Sequence, residues 1–291
     1  MKISKTFSGL KSRIKNMTKK RIALCVVLIP LLIFSGIVLS KNPSHDRNWE
    51  LGQEKLSRID IEGDLITVKN LRDFDWKKGE TEINYIEKTF DLNKMNGVDV
   101  IISHFSDFEG MAHIFLTFRF EDGRNLAVSI ETRREDTEEF EPFKGLFRKF
   151  EIIYVVATEE DLIGLRTNVR DNERVYLYPT VANAEKSQEL FKLVAEDVNY
   201  IYDNPTFYNT LFKNCTNVIT RRVEEISAFN FSITYKSILP GYFDEILYEM
   251  GVFPNSKLNF EEFKSVNLIH NDRVDNHSDD FSKQIREHFE N

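Results

Sequence analysis

The sequence predicts an α+β domain, on three observations. Two β-rich runs, Ala112–Phe120 and Asn125–Arg133, flank Glu-Asp-Gly-Arg, and Asp-Gly between such runs marks a hairpin. A segment from about Ala182 to Tyr202 spaces Leu190, Leu193, Val194, Val198 and Ile201 for one buried helical face. Beyond Cys215, the residues Val218, Ile219, Val223 and Ile226 recur with helical period, so this cysteine stands at a helix start.

The elements follow in chain order. Residues 1–21 hold eight Lys or Arg and no acid, and Ile22–Ser40 is nineteen residues without a charge, about the length that crosses a bilayer. We expect a basic cytoplasmic segment at 1–21 and one transmembrane helix at 22–40. A cleaved secretory signal is the alternative, although the run exceeds the usual apolar region and lacks a small-x-small cleavage pattern. By the positive-inside rule the chain is a single-pass protein of the cytoplasmic (inner) membrane, with the main domain periplasmic or extracellular. Residues 41–58 are polar and predict a tether, residues 59–254 the main domain, and residues 255–291 a polar C-terminal extension that is mobile from Asp272 onward.

Within the main domain, Ile59–Val68 alternates around Gly63-Asp64 as paired strands do, and Asn70–Trp76 is aromatic and charged enough to cover an edge. Arg72, Asp73 and Trp76 have only a structural reading there, a salt-bridged edge motif. Further strands are expected at Val98–Ser103, Phe150–Ala157 and Val175–Tyr178. Thr158-Glu-Glu-Asp opens a helix, Glu135–Pro142 is an exposed loop, and Tyr242–Met250 is amphipathic. With these pairings the sheet is predicted to be antiparallel.

Residues 41–291 carry 31 basic and 47 acidic side chains, a net of −16, which argues against nucleic acid as a partner. No metal constellation and no glycine-rich phosphate loop is visible, so neither a metal nor a cofactor is expected. The only cysteines are Cys25, inside the apolar run, and Cys215. With Cys25 in the apolar run, a disulfide between them is not expected on geometric grounds, even though an extracytoplasmic site permits one. An unpaired thiol outside the cytoplasm points to a chemical role, with a small buried hydrophobe as the bland reading.

Asn214 can cap the helix that starts at Cys215, which brings backbone N–H groups and the positive end of the helix dipole to the sulfur and favours thiolate. Such a nucleophile needs an imidazole and a group to orient it. His45 falls in the tether and His270, His277 and His288 in the C-terminal region; His104 and His113 are held by strands. If Phe120 faces Arg124 across the turn, His113 lies opposite Glu131, the geometry of a base and its orienter. An exposed edge histidine and a surface acid are the plain readings of the same two residues. Arg133 and Arg134 are candidates for binding a phosphate or carboxylate, or for ion pairing with the Glu135–Glu139 run. Asn214, Tyr208 and Asn209 are candidate oxyanion or substrate contacts, with capping and packing as their other roles.

These residues also carry a resemblance. Ala112-His113-x-Phe-Leu-x-Phe-x-Phe-x-Asp-Gly, Ser129-Ile-Glu131-Thr-Arg-Arg-Glu135, Gly145-Leu-Phe-Arg148, Tyr176-Leu-Tyr178, Phe207-Tyr-Asn-Thr210 and Asn214-Cys215-Thr216 together resemble the Lnb N-terminal periplasmic domain family, in order from about Ile59 to Ser227. The resemblance implies a thiol enzyme of permuted papain-like (NlpC-type) fold, with Cys215, His113 and Glu131 as its catalytic cysteine, histidine and acid. It also implies an activity, N-acylation of bacterial lipoproteins through a thioester, and hence a lipid or lipoprotein substrate at the membrane face. Two rival functions use the same chain: a cysteine peptidase or amidase acting on cell-wall peptide, and a non-catalytic envelope interaction domain. The oligomeric state is not legible.

Overall fold

The structure, a computed structural model, describes residues 19–77, 79–170, 172–254 and 257–287. Most of the basic segment 1–21, and His288, lie outside the described residues. The chain forms two compact units, Met1–Pro43 and Ser44–Asn291.

In the first unit, helix α1 (Lys19–Leu39) contains Pro30 and exposes Val26, Val27, Leu32 and Ile33. Among the described residues no helix is long and apolar enough to cross a membrane, so the span expected at residues 22–40 is not supported. Lys19, Lys20 and Arg21 take up the first turn of α1. The proline, which has no N–H to give, then interrupts its hydrogen-bond ladder.

The second unit is built on strands β1 (Arg58–Glu62), β2 (Leu65–Arg72), β5 (Tyr85–Asp91), β6 (Met95–His104), β7 (Ala112–Phe120), β8 (Leu126–Arg133), β9 (Glu151–Ala157) and β10 (Arg174–Pro179), with β3 (Asp75–Lys77) and β4 (Glu80–Glu82) as a separate ribbon. The main sheet runs β1-β2-β9-β8-β7-β6-β10, with β5 on β2. It is mixed rather than antiparallel, because β2 and β9 meet in parallel at Arg72 and Ala157. A parallel join needs a crossover in place of a hairpin. Here the whole stretch from β3 to β8 supplies it, and alternation within a strand says nothing about its neighbour's direction.

The β7–β8 hairpin has the register expected from its turn: Phe115 faces Ser129, Leu116 faces Val128, Thr117 faces Ala127 and Phe118 faces Leu126. Pairing stops at Phe115–Ser129. Beyond it β7 continues on β6 to Ala112, and β8 continues on β9 to Arg133. The two strands part there and leave a notch in the sheet.

Period-two alternation sends Ile114, Leu116 and Phe118 to one face, where they join Leu190, Phe191 and Val194 of helix α3 (Ala184–Asp203) and Val218 and Ile219 of helix α4 (Cys215–Ile226). Phe115, Ala127, Ile153 and Val155 line the other face. Helix α2 (Glu159–Gly164) covers it through Leu162 and Ile163, together with Ile269, Val274, Phe281 and Ile285. Asp161 of α2 is a hub: it accepts from the Arg72 guanidinium, the Phe74 N–H and the Trp76 indole. The aromatic edge stretch is thus tied to α2 through one buried carboxylate, and Thr158 donates to Asp73 beside it.

Two segments depart from expectation. From Ser44 on, the stretch predicted as a tether packs on the domain. Trp49 is buried and its ring lies under Arg133, 4.1 Å from the guanidinium carbon to the ring centroid. Arg133 donates to the Gln53 and Glu54 carbonyls. The C-terminal stretch is not a loose tail either: Phe281 and Ile285 are fully buried, and Arg286 bridges Asp99 and Glu159. Its apolar residues are too few and too widely spaced among Asp, Asn and Ser to show a period, so they escape pattern reading.

Replacing Phe281 by Ala is expected to lower the unfolding free energy by about 3–5 kcal/mol in a urea titration. A change within experimental error would mean that residues 269–285 do not cover the sheet.

Candidate active site

Helix α4 begins with a capping box. The Asn214 carboxamide oxygen accepts the Asn217 N–H at 2.9 Å, and Asn217 returns the bond to the Asn214 N–H at 2.8 Å. The Asn214 amide group also donates to the Thr210 carbonyl at 2.7 Å. This ties the preceding loop and points the first turn of α4 at the notch between β7 and β8. Cys215 sits there, buried, near the backbone of Ile114, which lies past the last β7–β8 pair.

Helix-start geometry alone favours thiolate, but burial overrides it. Desolvation pushes the Cys215 thiol above its usual range, although the N–H groups of Ile114, Thr216 and Cys215 itself pull the other way. The resting group is a thiol.

His113 and Glu131 lie on the opposite side of the sheet from the α4 core, at the same notch. The Ser129 hydroxyl stands between them, 2.7 Å from His113 Nε2 and 2.8 Å from Glu131 Oε1. The imidazole and carboxylate approach directly only to 3.8 Å. Burial by itself would raise the Glu131 carboxyl, but Arg166, His113 and Arg72 hold it well below the ordinary carboxylate range, so it is an ionised acceptor. The one Ser129 proton therefore goes to Glu131, and Ser129 accepts from Nε2–H. His113 is the Nε2–H tautomer, with its bare lone pair on Nδ1. Desolvation first, and then the Arg166 and Arg170 charges, push its pKa down to about 4 against the pull of Glu131.

Arg166 was not foreseen in the sequence. It is buried, donates to Glu131 Oε1 at 3.1 Å and to the Leu162 carbonyl at 2.7 Å, and lies over the Phe115 ring. Its carrier is a π-helical turn, Leu165–Val169, that follows α2, and no residue pattern announces such a turn.

Cys215, His113, Glu131 and Arg166 line one chamber of about 430 Å³ together with Asn214, Tyr208 and Arg134. Two glycines let its walls close up. A Cβ on Gly145 would meet the Thr210 hydroxyl and the Tyr208 ring, and one on Gly241 would collide with the Glu109 carbonyl. Burial raises the Tyr208 phenol, and so does the neighbouring Cys215.

Other expected residues take structural places. Arg133 is turned away from the chamber into the Trp49 packing, as given above, and burial lowers it to about 10. Asn209 accepts the Leu211 and Phe212 N–H groups and does not line the chamber. Arg134 does line it but pairs with Glu50 at 2.6 Å rather than with the Glu135–Glu139 run. The amide of Asn214 gives one of its N–H groups to Thr210, and the residue lines the chamber. His104 is sealed in the protein beside Tyr176, with Nδ1 3.7 Å from the Glu109 carboxylate, and is absent from the chamber wall. Among the described residues no group of three or more His, Cys, Asp or Glu is placed to hold a metal ion.

The sequence model of the Lnb N-terminal periplasmic domain family matches residues 82–241, more than half of the chain, and the chain belongs to that family. The match spans the β7–β8 hairpin, the loop at Gly145, β10 and the whole of α4. As a periplasmic domain by family, this region belongs outside the cytoplasm. No curated protein and no solved structure matches the chain.

A histidine held as described titrates near pH 4 in the folded protein, and a thiol without a preformed ion pair gains reactivity only at alkaline pH. NMR titration of the His113 ring and the pH profile of Cys215 alkylation by iodoacetamide check both. An imidazole pKa at 6.5 or above, together with an alkylation plateau below pH 7, would require a thiolate–imidazolium pair instead.

Proposed function

We propose that the protein is a cysteine-dependent acyltransferase of permuted papain-like type, acting at the outer face of the cytoplasmic membrane and N-acylating lipoproteins through a thioester on Cys215. One observation carries this reading: the Cys215 thiol and a histidine with its lone pair on Nδ1 open on one chamber, with Ser129, Glu131 and Arg166 holding that tautomer. Family membership supports the substrate class. The order in sequence, His-bearing strands before the Cys-bearing helix, supports the permuted fold type.

In the first half-reaction Nδ1 takes the thiol proton as the sulfur attacks an acyl ester carbonyl. The Cys215 N–H and the Tyr208 hydroxyl are the groups assigned to the oxyanion. Collapse expels the donor's alkoxide, which takes the proton back from His113 and leaves a thioester. An amine then attacks the thioester, gives its proton to Nδ1, and the departing sulfur recovers it. Glu131 stabilises the imidazolium that forms in each half and is never itself protonated. Because neither thiol nor imidazole is charged at rest, proton removal and sulfur attack occur together.

Attachment to the membrane is assigned to α1, on the strength of its exposed Val26, Val27, Leu32 and Ile33 and of the eight basic residues in 1–21, which suit an anionic lipid surface.

Intact mass measurement of the full chain after incubation with diacyl phospholipid vesicles is expected to show a hydroxylamine-labile acyl adduct that Cys215→Ala abolishes. His113→Gln should slow its formation about 10²–10⁴-fold. The rate should fall as pH drops below about 4, where Nδ1 becomes protonated. An adduct that forms equally well in Cys215→Ala would sink the mechanism.

A further inference from the structure

We infer that the acyl chain of the thioester lies in a second, apolar cavity behind the Cys215 helix, while the chamber holding His113 and Arg134 admits the polar part of donor and acceptor. The inference rests on the thioester reading above. This cavity, of about 350 Å³, is lined by Ile114 and Leu116 from β7, Ile219 and Val223 from α4, and Phe243 and Leu247 from helix α5 (Phe243–Glu249).

Ile114 lies between the thiol and the cavity: its backbone neighbours Cys215 and its side chain lines the cavity. Ile219 lies one helical turn beyond Cys215 on the same helix. The charged side chains Glu131, Arg134 and Arg166 stand in the chamber among apolar ones such as Met111, Ile130 and Phe140, whereas the cavity wall is almost wholly hydrocarbon, so the carbonyl end of an acyl group is matched by the first space and its chain by the second. Of the polar residues that line the cavity, Asn183 caps α3 with its side-chain oxygen, Lys186 pairs with Glu189, and the Thr180, Thr220 and Ser227 hydroxyls donate to the Val98, Asn217 and Val223 carbonyls. Nothing polar in the interior would hold water, and such a space takes apolar ligands. Its volume falls in the range of small-molecule sites. Val181, at its rim, is exposed, which gives a chain a way in. A chain lodged there also keeps bulk water from that side of the thioester, which favours the amine as acceptor.

The test uses the full chain carrying Cys215→Ala, so that occupancy is read without chemistry. The protein is reconstituted in phosphatidylcholine vesicles doped with a phospholipid whose palmitoyl chain bears a terminal diazirine, irradiated, digested and analysed by mass spectrometry. Adducts on the Ile219–Ile226 and Phe243–Leu247 peptides are expected, with their loss in Val223→Trp, whose side chain fills the cavity. Leu247→Trp serves if Val223→Trp loses its near-UV circular dichroism. Adducts confined to α1 or to the chamber peptides, no adducts, or adducts unchanged in both variants overturn the assignment. If the cavity is labelled but wild-type Cys215 never carries an acyl group, the cavity stands and the transferase reading falls.

Discussion

Past the Phe115–Ser129 pair, β7 stays with β6 and β8 stays with β9, and on this parting the rest of the site depends. In an unbroken sheet, side chains at alternate positions cannot meet across the plane. The thiol packs with one face and the imidazole stands on the other, and both line the chamber at the parting. The notch opens the plane at one end, frees the Ile114 N–H from the β8 ladder, and receives the start of α4. The capping box then sets the depth at which the sulfur enters.

The second constraint is electrostatic. Glu131, Asp161 and Glu159 are carboxylates in largely dry surroundings, and each has an arginine against it: Arg166, Arg72 and Arg286. Removing one partner of such a pair leaves a buried charge and is strongly destabilising, by about 3–5 kcal/mol. Their arrangement has a chemical consequence as well. With Arg166 balancing Glu131, the carboxylate stays ionised while His113 stays neutral, so the relay fixes a tautomer without drawing a resting proton onto the ring. The helix start at Cys215 pulls toward thiolate, but the burial required to fit the sulfur into the notch pulls harder.

Much of this was legible in the residues. The Asp-Gly turn fixed the hairpin register, and with it the approach of His113 to Glu131, because a short turn leaves few ways to pair two strands. The Asn214 cap and the face of α3 followed from short-range rules. What stayed hidden were long-range partners. Ser129 alternates with its neighbours like any strand residue, and its place in the relay depends on the two side chains that flank it in space. Arg166 comes from a π turn far along the chain, and the parallel β2–β9 join depends on a crossover that no local pattern encodes. Arg133 misled because an arginine beside acids suggests the surface, whereas here Trp49 and two carbonyls enclose it. The segment around Phe281 looked too polar to pack, yet a few apolar side chains suffice once Arg286 is paired.

The end of the sheet at β10 is also closed. Leu268 bridges Tyr176, the Ile269 N–H donates to the Val175 carbonyl, and the Leu177 N–H reaches Asn267. The backbone groups along that edge are already satisfied by the chain itself, so a peptide cannot be gripped there as an added strand. Whatever approaches by this side must be distinguished by side-chain contacts and by the size of the openings.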